Sequence, residues 1–250
     1  MTGRGGNIER EIEHGKLLMN RGAGSVWGWD SPAGRERVER RTRWITNVCR
    51  LKPGVRVLEC GCGTGIFTRE LAKTGATIVA AEISQDFLRQ AAKICQFKNV
   101  RFVRINLEDP SSLKNGSFDA MYGVSILHHL DLSKALPALR RKLRPGGRFA
   151  FSEPNILNPI NRYIVFVNDP EKRKARGVSP NEMAFRAQEL CDLLEKCGLV
   201  VEKLLYRDFL HPKVPRILIP FVNLVQAAAE RLPLFRSISG SLWVCGTRPL

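Results

Sequence analysis

Hydrophobic positions in the middle of the chain form short apolar runs separated by segments of helical spacing. The runs predict β-strands at 55–59, 77–81, 100–105, 118–122 and 148–152. The intervening segments 66–73 and 84–96 place apolar residues on one helical face, and Ser84 stands where a helix N-cap is expected. Strands that alternate with helices are typical of a parallel sheet covered by helices on both faces.

The last part of the chain departs from this alternation. It predicts a helix over 180–197, a strand over 199–208, an apolar helix over 215–231 and a final strand over 241–247. Two late strands joined by a long connection are typical of an antiparallel strand on a mostly parallel sheet. The predicted fold class is therefore α/β: a doubly wound, Rossmann-like, mostly parallel seven-stranded sheet with an antiparallel C-terminal edge strand.

The N-terminal part of the chain is predicted to form a unit of its own. Its first residues are rich in glycine, and 35–50 predict a helix whose arginine-rich face we expect to be solvated. The chain thus divides into an N-terminal arm and cap helix at 1–50 and a main domain at 51–250. Within the main domain, the segments 156–176 and 213–236 interrupt the alternation, and we expect them to cover a substrate.

Charge is the compositional feature that most changes this picture. The 250 residues include 40 Lys and Arg against 24 Asp and Glu, a formal net charge of +16, which attracts polyanions without selecting among them. The 7 cysteines form no Cys-x-x-Cys pair, so neither a metal site nor a redox pair is indicated. No signal-peptide pattern and no membrane-spanning apolar run are visible, so we expect a soluble cytoplasmic protein.

A glycine-rich turn between the first predicted strand and helix is the strongest chemical signal. Gly61, Gly63 and Gly65 give the spacing Gly-x-Gly-x-Gly, in the strand–turn–helix context that nucleotide-binding turns require. The dinucleotide fingerprint would place Gly or Ala at Ile66, so NAD and FAD are disfavoured. If the glycines are considered without the neighbouring motifs, the alternative interpretation is a tight turn that binds no ligand.

Polar groups follow the next two predicted strands. Glu82 ends the second strand, where a carboxylate can accept both hydroxyls of a ribose. Asn106 and Leu107 end the third strand, where a side-chain amide and a backbone N–H can bind an adenine edge. The carboxyl ends of parallel strands meet at one edge of the sheet, where open α/β sheets bind ligands.

With these motifs in order, the chain resembles the class I S-adenosylmethionine-dependent methyltransferases, in particular the branch that mostly methylates small molecules. The resemblance is carried by 57–68, 78–82, 100–109, 117–130 and 143–155. It implies S-adenosylmethionine as the cofactor and no metal. The residues implied to bind the cofactor are Glu59, Cys60, Gly61, Cys62, Gly63, Thr64, Gly65, Glu82, Ile83, Asn106, Leu107, Tyr122 and Gly123. Asn106 stands where the family usually has Asp, and its amide oxygen can still accept from the adenine amino group.

Two histidines, His128 and His129, follow the fourth predicted strand at the lip of the same crevice. Histidine titrates near neutral pH and can take a proton from a hydroxyl or amine nucleophile, so both are candidate catalytic bases. The alternative is that the pair only shapes a loop. Glu153 and Asn155 follow the fifth strand and are candidates to orient a substrate, with a plain turn as the alternative.

The acceptor is expected to be a small apolar or lipid-like molecule, methylated on O, N or C. Large side chains in the variable segments are candidate pocket walls: Trp27, Trp29, Tyr163 and Phe221. Nucleic acid is expected to bind only non-specifically through the net charge. A peripheral membrane contact or a partner interface through 213–236 stays open, as does the oligomeric state. Two alternatives come from other classes: an RNA methyltransferase, favoured only by the charge, and a non-catalytic cofactor-binding module.

Overall fold

A single mixed sheet forms the centre of the protein. The fold is given by a computed structural model, which describes residues 12–13, 15–16, 28–165, 169–175 and 184–250. The seven strands lie in the order β3-β2-β1-β4-β5-β7-β6. They are β1 Arg56–Cys60, β2 Thr77–Glu82, β3 Val100–Arg104, β4 Phe118–Val124, β5 Leu143–Pro154, β6 Val200–Arg207 and β7 Ser241–Thr247. Strands β1 to β5 pair in parallel, and β7 runs antiparallel to both β5 and β6.

The antiparallel C-terminal strand is confirmed, but its place in the sheet is one position in from the edge. β7 lies between β5 and β6, so β6 forms the edge. Arg207 at the end of β6 pairs with Ser241 at the start of β7, and Ser241 also pairs with Pro154 at the end of β5. The connection 208–240 therefore lies at the sheet edge where β1 to β5 end.

Helices cover both faces of this sheet. They are α1 Pro32–Cys49, α2 Ile66–Ala72, α3 Gln85–Ile94, α4 Leu132–Lys142, α5 Pro170–Ala175, α6 Ala187–Lys196, α7 Ile219–Ala229 and α8 Pro233–Arg236. Shorter helical turns occur at Leu127–His129, Asn161–Val165 and Arg216–Leu218. Within the described ranges, none of the helices has the length and apolar character needed to cross a membrane.

Two apolar clusters, one on each face of the sheet, form the core. Successive strand residues point to opposite faces. Leu58 and Met121 accordingly pack with residues of α4 and α6, whereas Val57 and Ala120 pack with residues of α1, α2 and α3. This arrangement confirms the doubly wound α/β class.

Local capping sets the helix boundaries. Ser84 caps α3 as predicted, its hydroxyl accepting from Phe87 N–H at 3.4 Å. α1 begins three residues earlier than the pattern predicts (Pro32 instead of Arg35), because the Ser31 hydroxyl accepts from Gly34 N–H at 2.9 Å and Pro32 fits the first turn.

The arginine-rich face of α1 differs from the expected solvated surface. Arg41 is 1% exposed, forms an ion pair with Asp208, and donates to the hydroxyls of Ser152 at 3.1 Å and Ser241 at 3.0 Å. Burial lowers the pKa of Arg41 to about 10, and the Asp208 charge opposes the shift. The buried guanidinium therefore ties α1 to β5 and β7.

The apolar segment predicted over 215–231 forms α7, and most of its large apolar side chains are exposed to solvent. In α7 the polar Gln226 is buried, whereas Phe221, Leu224 and Val225 are exposed. The polar side chains Asn223 and Gln226 have partners in the protein, and of the large apolar side chains only Ile219 and Val222 pack inward.

Candidate active site

The glycine turn joins β1 to α2 in a backbone shape that favours glycine. Gly61, Gly63 and Gly65 have φ angles of 70°, 50° and 80°, in the left-handed region that side chains disfavour. The turn is held by Cys62 N–H, which donates to Ala81 O at 2.9 Å. A second bond runs from Gly65 N–H to Cys62 O at 2.8 Å. This turn stands at the carboxyl end of β1, as predicted.

Gly65 meets a protein neighbour at the start of α2. A Cβ at this position would lie 2.8 Å from Ala91 Cβ and 2.9 Å from Ala91 Cα, so the absence of a side chain lets α2 approach α3. Gly61 and Gly63 remain half-buried at the crevice. The other residues of the turn are buried: Cys60, Cys62 and Thr64.

Glu82 ends β2 with its carboxylate on the glycine turn. Oε2 accepts from Gly63 N–H at 3.0 Å, and Oε1 accepts from the N–H groups of Ile83 and Ser84 at 2.9 Å each. The residue is 8% exposed, and burial raises its pKa against the opposing effect of these backbone donors. The three hydrogen bonds fix the carboxylate, and of its roughly four lone-pair sites the one left is on Oε2.

Glu59 is a second buried carboxyl group beside the turn. Its Oε2 accepts from Thr68 Oγ1 at 2.6 Å, and the Tyr122 hydroxyl is a further polar neighbour. Burial raises the pKa of Glu59 to about 7, and the nearby Glu82 charge adds to the rise. A cation bound beside these two carboxyl groups would favour their ionised forms.

The residues predicted to contact an adenosine lie at and just after the ends of β2 and β3. Asn106 is half-buried, and its Oδ1 accepts from Glu108 N–H at 3.0 Å. Leu107 is buried next to it, and Ile83 is half-buried after Glu82. These residues share one sheet edge with the glycine turn.

The end of β4 brings Tyr122 and Gly123 beside the same turn. Gly123 pairs with Cys60 of β1, and the Tyr122 side chain is fully buried. A Cβ on Gly123 would lie 2.5 Å from Ile126 Cγ2, so glycine is required for the chain to fold back at this point. The backbone here occupies the position predicted to receive the amino group of a cofactor.

His128, just beyond the end of β4, is held by Glu153 near the end of β5. The His128 Nδ1 to Glu153 Oε2 distance is 2.7 Å, and Glu153 Oε1 accepts from the N–H groups of Ile126 at 3.1 Å and Leu127 at 2.9 Å. Both side chains are buried, and the His129 ring lies 4.3 Å from the His128 ring, centroid to centroid. A carboxylate that holds Nδ1–H fixes the tautomer in which Nε2 is the basic nitrogen.

Asn155 braces the segment beyond β5. It is fully buried, and its Nδ2 donates to Ser237 O at 2.8 Å and Ser239 O at 2.9 Å. Its Oδ1 accepts from Leu157 N–H at 3.0 Å. These backbone partners take up the amide that the sequence assigned to a substrate. Glu153 is likewise occupied by the turn that carries His128.

The candidate wall residues that the structure describes differ in exposure. Trp29 is buried and packs edge-on against Phe67, with ring centroids 5.2 Å apart. Tyr163 and Phe221 are 67% and 65% exposed. Trp27 lies outside the described residues.

Two side-chain pairings at the site were not predicted. The His128–Glu153 pair could have been found from topology, because β4 and β5 are parallel neighbours whose following residues must lie close together. The Glu59–Thr68 pair joins β1 to the first turn of α2, and only the mutual packing of these elements brings the two residues together.

Comparison with known proteins identifies the family. Residues 58–151 match the family model described as a methyltransferase domain. A demethylmenaquinone methyltransferase from Tropheryma whipplei is 30% identical over 175 residues, which cover 62% of this chain and 72% of that protein. The chain belongs to the S-adenosylmethionine-dependent methyltransferases.

Further similarities agree with this methyltransferase assignment. A ubiquinone biosynthesis O-methyltransferase from Thiobacillus denitrificans is 29% identical over 171 residues, which cover 66% of this chain and 72% of that protein. The crystal structure of an S-adenosylmethionine-dependent methyltransferase from Mesorhizobium loti has the same fold. Its TM-score is 0.63 at 21% identity, over 84% of this chain and 100% of that one.

The cofactor of this methyltransferase is S-adenosylmethionine, and the carboxyl groups of the crevice fit it. The cofactor carries a sulfonium and an ammonium group, and Glu59 and Glu82 place two buried carboxyl groups beside the glycine turn. Carboxylates accept hydrogen bonds only, which suits the two hydroxyl donors of a ribose. The site thus presents negative charge in a protein whose formal net charge is +16.

Proposed function

We propose that the methyltransferase acts on a small hydroxylated, quinone-like aromatic acceptor with an apolar tail, and that His128 removes the acceptor's proton. The observation that carries the proposal is the 2.7 Å bond between His128 Nδ1 and Glu153 Oε2 beside the cofactor crevice. An imidazole in a fixed tautomer at this place suits an acceptor that must lose a proton as it is methylated.

Glu153 and His128 would have different roles in the reaction. Glu153 keeps the proton on His128 Nδ1 and fixes the ring, while His128 Nε2 takes the hydroxyl proton of the acceptor. When bound, S-adenosylmethionine supplies a methyl group whose bond to sulfur breaks, with its electron pair staying on sulfur, as the acceptor oxygen takes the methyl. The burial of His128 and Glu153 limits water at the reacting oxygen.

The residues around the glycine turn would hold the cofactor. In this proposal Glu82 accepts the ribose hydroxyls, Asn106 and the Leu107 backbone bind the adenine, and the Tyr122–Gly123 backbone accepts from the cofactor's amino group. The turn residues 59–65 then surround the methionine part, where the carboxyl group of Glu59 counters its positive charge.

The acceptor class is supported by the relatives and by the surface of the protein. The two relatives named above belong to ubiquinone biosynthesis and to demethylmenaquinone methylation. Quinone rings are apolar aromatics, and exposed apolar side chains such as Tyr163 and Phe221 stand on the elements that follow β5 and β6.

The proposed domain organisation keeps the division at residue 50. The segment 1–50 adds an arm and cap helix to the cofactor-binding domain 51–250, and Trp29 supports this arrangement by packing on Phe67 of α2. The proposed insertions 156–176 and 213–236 follow β5 and β6, and the described residues of the first are 156–165 and 169–175. A cover over the acceptor would require the outward apolar side of 213–236 to move.

The test of this function is methyl transfer to a matched pair of acceptors. With methyl-labelled S-adenosylmethionine, a short-chain prenylated hydroxyquinol is expected to take up label on oxygen, located by mass spectrometry. The same ring with every hydroxyl already methylated is the control and is expected to stay unlabelled. Label in bulk RNA instead, or in neither aromatic compound, would overturn the proposed acceptor class.

A further inference from the structure

The segment after β6 exposes an unusual amount of apolar surface. Ile217, Leu224 and Leu234 are 86%, 72% and 80% exposed. Together with six neighbours they form what we term the outer apolar face: Ile217, Leu218, Phe221, Leu224, Val225, Leu232, Leu234, Phe235 and Ile238. This many large apolar side chains exposed on one short segment mark a site of interaction, because soluble monomers rarely expose large apolar patches.

Polar contacts fix the orientation of α7, with its exposed apolar side chains away from the protein. Gln226 is 3% exposed and its Oε1 accepts from Phe209 N–H at 3.3 Å, while Asn223 donates to Glu36 of α1. Glu230 forms ion pairs with Arg40 at 2.9 Å and Arg207 at 3.0 Å. A surface helix normally buries its apolar side. Here the polar side is bonded to α1 and to the residues around the end of β6. Ile219 and Val222 pack inward, and the other large apolar side chains of α7 are directed outward.

The outer apolar face lies at the edge of the sheet that holds the active site. The connection 208–240 starts and ends at the carboxyl end of the parallel strands. Asn155 and Asn158, just beyond β5, donate to the carbonyls of Ser237 and Ile238 at 2.8 Å each. The face therefore stands beside the strand ends that carry the cofactor and His128.

The charges around this face have one sign. Its exposed ionic residues are basic: Lys213, Arg216, Arg231 and Arg236. Between 209 and 240 the only acidic residue is Glu230, and it is paired inward. This surface complements an anionic partner, whereas a second copy of the face would oppose basic residues to basic residues.

We propose that the outer apolar face and its four basic residues dock the protein on a membrane surface that contains anionic phospholipid. The apolar side chains would enter the acyl boundary while the arginines and the lysine bind the headgroups. This goes beyond the proposed function, since docking needs neither the acceptor nor methyl transfer. It would place the active-site edge against the lipid.

The apolar part of the proposal is tested by sedimentation of the full chain with phosphatidylglycerol–phosphatidylcholine vesicles. Leu224→Glu/Leu234→Glu is expected to weaken vesicle binding by roughly a hundredfold or more. The matched control is Ile94→Glu/Phe97→Glu, which alters exposed apolar residues before β3, at the opposite sheet edge. The control is expected to bind vesicles like the unchanged protein, and both variants should bind S-adenosylhomocysteine normally.

The charge part is tested with two variants of equal net charge. Arg216→Gln/Arg231→Gln is expected to reduce binding to anionic vesicles by roughly tenfold or more, while Lys52→Gln/Lys98→Gln, exposed at the opposite sheet edge, should change it little. Equal losses from both variants would mean that net charge alone is responsible and would overturn the proposal. So would absence of vesicle binding, or self-association in solution that Leu224→Glu/Leu234→Glu abolishes.

Discussion

At the scale of single residues, two buried carboxyl groups set the charge of the cofactor crevice. Glu82 is the better anchored, because three backbone N–H groups donate to it. Glu59 has a hydroxyl donor in Thr68 and the pKa that burial raises to about 7. The two residues are therefore expected to respond differently to substitution and to pH.

Replacing Glu82 tests its contact with the ribose. Glu82→Ala is expected to weaken S-adenosylhomocysteine binding by about 1.5–3 kcal/mol, the range for hydrogen bonds to a charged group. Calorimetry gives the affinity, and Glu70→Gln, a more exposed carboxylate on α2, is the control that should change little. Unchanged affinity for Glu82→Ala would mean that the ribose is held elsewhere, and NAD is expected to show no binding to any of these proteins.

The raised pKa of Glu59 predicts a pH-dependent cofactor affinity. In the unliganded protein Glu59 is half protonated near pH 7. A cationic ligand favours the ionised form, so binding must release the proton and affinity should fall by about tenfold per pH unit below 7. Calorimetry of S-adenosylmethionine binding across this range should show the slope, and Glu59→Gln should remove it. A slope that persists in Glu59→Gln would assign the proton to another group.

At the scale of elements, the glycine turn depends on both backbone angle and space. Gly65→Ala is expected to destabilise the protein by about 2–4 kcal/mol, because φ is 80° and the new Cβ would lie 2.8 Å from Ala91 Cβ. Gly116→Ala is the matched control, with φ of 63° and no atom within 4 Å of its Cβ, and should cost about 1–2 kcal/mol. Urea unfolding measures both. Equal losses would show that contact between α2 and α3 contributes nothing.

The elements themselves were largely predictable from periodicity. The limits of β7 and the Ser84 cap of α3 match the structure. The position of β7 inside the sheet was not predictable, because apolar spacing does not encode which strands pair across a long connection. The side of α7 that faces the solvent was not predictable either. It depends on contacts of Asn223 with Glu36 and of Glu230 with Arg40, and helical spacing does not reveal contacts between residues so far apart in sequence.

The site was predictable where it depends on strand ends and obscure where it depends on packing between distant segments. Glu82 ends a strand and Asn106 and His128 follow strands, so their common location could be inferred from the parallel order. The ion pair of Arg41 with Asp208 joins α1 to the end of β6, and helical spacing alone assigned this arginine to a solvated face.

At the scale of the whole molecule, the net charge predicts weak and general binding to nucleic acid. With a formal charge of +16, the protein should bind bulk RNA through phosphate contacts, with affinity that falls steeply as salt rises and with little sequence preference. Fluorescence anisotropy with two unrelated RNA sequences over a salt series measures both properties. Tight binding that favours one sequence at physiological salt would support an RNA acceptor.

The central claim is that methyl transfer depends on His128 as a base held by Glu153. Its most direct measurement is the single-turnover rate of label transfer to the hydroxylated acceptor for the unchanged protein, His128→Asn, Glu153→Gln and His129→Asn. His128→Asn is expected to lower the rate by about 10²–10⁴-fold, with cofactor affinity unchanged. Glu153→Gln should reduce the rate, and His129→Asn should have a much smaller effect. A His128→Asn protein that retains the rate of the unchanged protein would contradict the account.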